Sequence, residues 1–153
     1  MKRIEVKLSL PVVAPLLDMI KAAADTLDGQ LAAPITLDDV DSGFRAEWRD
    51  ELVAGQTAEI NALLALFDSE FFTNGVVGFD ESNAIIIVRA CSAVRLRLRQ
   101  RYLRDLPDEI LEGGDVELAG LDEDVRKAFM CYLFLATVQE LIIQHLDSAI
   151  LDA

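Results

Sequence analysis

The sequence predicts a mainly α-helical single domain. It reads as a bundle of four or five helices around one central apolar helix at about 81–103, with a minor two-stranded β ribbon at about 3–9 and 76–79. Three observations carry this. Apolar residues recur at three- and four-residue spacing through most of the chain. One such stretch, Ala84-Ile85-Ile86-Ile87-Val88, is hydrophobic on every side, which marks a helix surrounded by others. Only two short segments have the alternating or β-branched character of strands. A length of 153 residues fits one domain of the usual ~100–150 residues.

The opening segment alternates Ile4, Val6 and Leu8 with Arg3, Glu5, Lys7 and Ser9, a period of two that predicts a half-buried strand. Pro11 and Pro15 then stand near the start of a helix running from about Pro11 or Val12 to Leu27, with Leu16, Leu17, Ile20 and Ala24 on its apolar side. Asp28-Gly29 ends it, and a long loop reaches Val40. Asp41 and Ser42 are suitable N-caps for a second helical region, whose expected buried stripe is Phe44, Trp48, Leu52, Ile60, Leu63, Leu64, Phe67 and Phe71. Gly55 either divides that region or weakens it.

Thr73-Asn74-Gly75 reads as a turn, and Val76–Phe79 as a second strand pairing with the first, since isolated strands would leave backbone donors open. Asp80 is the expected cap of the central helix, which ends at Asp105-Leu106-Pro107. An acidic linker with Gly113-Gly114 leads to Asp122, the expected cap of a last helix reaching Leu146 or beyond. Glu123 and Asp124 in its first turn suit the helix dipole.

The formal charge of −13 lowers nucleic acid on the list of partners, because a phosphate backbone meets mostly repulsion. The distribution is uneven. Between Glu81 and Leu106 six arginines oppose two carboxylates, a balance of +4, so the remainder holds −17. Arg97, Arg101 and Arg104 share one helix face and are candidates for an anionic partner, or a solvated end answering the acidic loops. Arg95 lies on the opposite side, beside apolar turns, where a guanidinium needs a carboxylate. Glu140, interrupting the apolar last helix next to Gln139, is the expected partner. Together Arg95, Glu140 and Gln139 form a buried polar group with a structural or ligand-holding role.

Several chemistries are excluded. His145 is the sole histidine, so a His-rich zinc site or a diiron bundle has no ligands, and neither metal nor cofactor is expected. No nucleophile elbow, dinucleotide fingerprint or phosphate loop occurs, and no catalytic residue is assigned. The loop from Asp38 to Gly43 has its glycine out of register for calcium. Cys91 and Cys131 sit in apolar helical stretches and read as small buried hydrophobes without a disulfide. The N-terminus lacks the pattern of a secretory signal, and the apolar run from Ala128 to Val138 is short for a membrane span. A cytoplasmic protein is expected.

The order of features resembles an uncharacterised bacterial family common in actinobacteria. It is carried by the opening strand and Leu-rich helix (Val6 to Leu27), Phe44-Arg45 at a helix start, the Arg95-Leu96 pair and Gln139-Glu140 in the last helix. The resemblance implies a mainly helical cytoplasmic protein, in some genomes encoded near the adaptor of the Clp protease and sometimes labelled a transcriptional regulator. The Arg-rich extension from Arg97 to Arg104 and Cys91 depart from that family's pattern.

The hydrophobic share is 52%; with glycine counted and tyrosine set aside it is about 56%, against ~45–50% in ordinary domains. That surplus favours a non-enzymatic, adaptor-like interaction protein that self-associates as a homodimer or other homo-oligomer. A small-ligand binder or enzyme using Arg95 and Glu140 is the alternative, and a DNA-binding regulator a second.

Overall fold

The computed structural model describes residues 3–33, 41–113 and 120–146. In chain order the elements are β1 (Arg3–Lys7), α1 (Leu10–Asp25), α2 (Ser42–Leu64), α3 (Ser69–Asn74), β2 (Val76–Asp80), α4 (Ala84–Tyr102), α5 (Asp108–Gly113) and α6 (Glu123–His145). The mainly helical class with one small ribbon is as expected. The expected Asp38–Gly43 and Gly113-Gly114 features fall partly outside the described residues.

β1 and β2 pair antiparallel, with Ile4 opposite Phe79 and Val6 opposite Val77. These pairs face the core, whereas the intervening Arg3, Glu5 and Lys7 face solvent. Asp80 does not cap α4 directly. Its carboxylate accepts from the backbone N–H groups of Ser82 (2.9 Å) and Asn83 (3.1 Å), an Asx turn that delays the helix start to Ala84. The Ser82 hydroxyl, with those amides and Arg3, holds the Asp80 carboxyl below the ordinary aspartate value.

α4 is the hub. Ile87, Ala90, Cys91, Val94 and Leu98 are fully buried, and the helix packs against α6, α2 and α1. The same core takes Leu16 and Ile20 from α1, Phe71 from α3, Phe79 from β2, and Phe129, Leu135 and Ile142 from α6. α6 is the one helix among the described residues whose length and mean hydropathy approach a membrane span. Its apolar side is turned to α4 and α1 within the protein.

Two expectations are corrected, and of the two alternatives at Gly55 the milder holds: α2 runs unbroken through it, because one glycine costs a helix only ~1 kcal/mol. Its buried stripe does not begin at Phe44. Phe44 and Trp48 are 53% and 41% exposed, and only from Leu52 onward does the helix meet the core. Secondly, the helical region expected to carry its stripe to Phe71 breaks after Leu64, so its last part is the separate helix α3, and α5 occupies a stretch read as linker. α3 is capped by Asp68, whose carboxylate accepts from Phe71 N–H at 3.1 Å, and it ends at Gly75 in the left-handed region, φ +76°.

The loop after α1 is held by side chains. Gln56 of α2 donates to Gln30 O (2.7 Å) and accepts from Ala32 N–H (3.0 Å), while Gln100 of α4 donates to Ala32 O (3.0 Å). Backbone groups that no strand or helix satisfies are thereby paired.

Candidate functional site

The polar centre lies between α4 and α6, but with a different partner from the expected one. Glu140 is exposed, and no Arg95–Glu140 ion pair occurs among the described residues. Arg95 Nη1 instead donates to Gln139 Oε1 at 2.7 Å. Gln139, the buried polar residue of the core, donates from Nε2 to Val88 O (2.8 Å) and to Ser92 Oγ (2.7 Å). Those two bonds fix the amide so that its oxygen faces the guanidinium. Tyr132 completes the arrangement, with Arg95 Cζ 4.3 Å from the ring centroid.

The reason for the exchange is rotational. Neighbours on a helix point ~100° apart, so only one of Gln139 and Glu140 can face α4. The neutral amide avoids the cost of desolvating a carboxylate. Arg95 thus sits half-buried with no carboxylate within ion-pair distance among the described residues, and its Nε has no hydrogen-bond acceptor there. Ser92 and Tyr132 were not singled out from sequence. A serine and a tyrosine on helices carry no spacing signal of their own.

The arginines beyond Arg95 separate. Arg99 pairs with Asp108 at the start of α5, tying that short helix to α4. Arg97 is half-buried, whereas Arg101 and Arg104 are exposed. Arg104 Nε donates to Gln100 O in the last turn of α4, which occupies part of the face expected to meet an anionic partner.

Between α2 and α4, under the 31–33 segment, lies an open cavity of about 310 Å³, the lower end of ligand-pocket sizes. Leu52, Ala93 and Leu96 give it an apolar floor, with Glu59 and Arg89 at its edge. Burial pushes the Glu59 carboxyl above the ordinary carboxylate range, partly opposed by Arg89. His145 stands apart, beside β1 at the end of α6. No group of three or more potential metal ligands occurs among the described residues.

Both cysteines are free and buried, and burial pushes each thiol up to about 12. The thiolate is the reactive form, so neither is built as a nucleophile. Iodoacetamide at pH 8 is expected to leave both unmodified in the folded protein and to alkylate both in denaturant, read by intact mass. Because the folded thiol pKa is raised, its contribution to stability is present below the unfolded value of ~8.5 and lost as pH rises through 9 to 12.

No protein-family model, no curated protein and no solved structure matches the chain.

Proposed function

We propose that the protein is a non-enzymatic, cytoplasmic interaction module that self-associates. The observation that supports the reading is the first half of α2. Phe44 and Trp48 stand 53% and 41% exposed and pack on each other, ring centroids 5.8 Å apart. Two adjacent large aromatics held in water are unfavourable for a monomer and are the residue types enriched at the centres of interfaces. The resemblance to an actinobacterial family belongs to the same proposal, as does an adaptor-like role. Light scattering coupled to size exclusion tests it. A mass above 16.9 kDa that rises with concentration is the expected result, and a strict monomer at high micromolar concentration would count against it.

Arg95 supports a second reading, a binder of small carboxylate or phosphate ligands, since its guanidinium has no carboxylate within ion-pair distance among the described residues. A thermal-shift screen of organic anions tests this: stabilisation should vanish in Arg95→Met and persist in Glu140→Gln.

A further inference from the structure

The exposed half of α2 carries more information than its hydrophobicity. Rotation of ~100° per residue puts Phe44 about 40° and Gly55 about 20° to one side of Trp48 on one outward stripe, with the half-buried Leu52 about 40° to the other side, where α2 turns toward α4. Ile60 and Leu63, which anchor α2 to the core, lie ~60–120° round on the Leu52 flank, so the Phe44–Trp48–Gly55 side is turned away from the rest of the molecule. Gly55 is exposed, and a Cβ built there would meet nothing within 4 Å. A glycine in mid-helix costs ~1 kcal/mol relative to alanine, and no contact among the described residues requires one here. Where a second backbone approaches closely, glycine has a use.

Over residues 44–55 the charges flanking the stripe are segregated. Arg45 and Arg49 lie on the Leu52 side, at ~60° and ~100° from Trp48, while Glu51 and Glu47 lie at the same angles on the Phe44 side. We propose that a second copy of this chain packs its α2 parallel against this one, about a two-fold axis running along the helices. In that arrangement each copy's arginine flank faces the other's glutamate flank. Arg49 and the partner's Glu47 differ by only ~3 Å in height along the axis. An antiparallel arrangement would set arginine against arginine and glutamate against glutamate, so the charge pattern selects the parallel one. One helix pair makes a small interface, at the weak end of specific contacts.

The inference rests on the self-association reading above and specifies its surface. Two charge reversals on the full chain test it, Arg49→Glu and Glu47→Arg, both at exposed positions. Either variant alone turns two attractive contacts into repulsive ones and should weaken dimerisation about ten-fold by light scattering. Mixed in equal amounts, they should recover a dimer containing one copy of each by native mass spectrometry, because both contacts are then between opposite charges. Trp48 is the only tryptophan of the chain, so its emission in the unmodified protein should shift to the blue as concentration passes through the dissociation constant. Wild-type protein that remains monomeric at every concentration overturns both the self-association reading and this interface. A wild-type dimer that is indifferent to the single reversals, or a mixture that fails to pair, overturns this interface alone and leaves self-association standing through another surface.

Discussion

Replacing Gly75 with alanine is expected to lower the unfolding free energy by about 3 kcal/mol, measured as a shift of the urea midpoint at unchanged slope. Gly75 ends α3 at φ +76°, a conformation side chains rarely adopt. A Cβ there would lie 2.5 Å from the carbonyl oxygen of Leu8, which belongs to the backbone and cannot swing aside. Leu8 N–H donates to Gly75 O at 2.7 Å, so relieving the clash also pulls on the join between the ribbon and α3. Gly75→Asn, which tolerates the left-handed region better, should recover little, because its Cβ meets the same oxygen. Equal stability of wild type and alanine variant would contradict this close approach.

The second large effect concerns the bond between α4 and α6. Gln139→Leu removes the acceptor of Arg95 Nη1 and leaves the guanidinium half-buried without it. A loss of about 2–3 kcal/mol is expected. Arg95→Met with Gln139→Leu should cost clearly less than the sum of the separate losses, with a coupling of ~1–2 kcal/mol in a double-mutant cycle. Glu140→Leu, at an exposed position, should change stability by no more than ~0.5 kcal/mol. Strong coupling of Arg95 to Glu140 and none to Gln139 would reverse the assignment.

The hub helix was legible because an unbroken isoleucine run leaves no side for water. The ribbon was legible from two short segments that each needed a partner, and the register brings together Val6 and Val77, Ile4 and Phe79. Asp41 served as the cap it resembles, accepting from Gly43 and Phe44 N–H. Other features were hidden for physical reasons. Helical spacing shows that Phe44 and Trp48 share a stripe, yet it is silent on whether anything faces them. α3 and α5 have six residues each, too short for periodicity to register. The choice between Gln139 and Glu140 turned on a single step of helical rotation. Expecting a charge to be met by a charge selected the wrong neighbour, because an amide anchored by Val88 O and Ser92 serves a guanidinium without itself being charged.

Gln56 and Gln100 hold Ala32 from two different helices, and Gln56 also holds the carbonyl of Gln30. The 30–32 segment therefore ties α2 to α4: sliding one helix along the other breaks its bonds to Gln56 or to Gln100, each worth ~1 kcal/mol. A rearrangement that shifts those two rods loses these bonds, so movement costs least in the first turns of α2, whose side chains are mostly exposed.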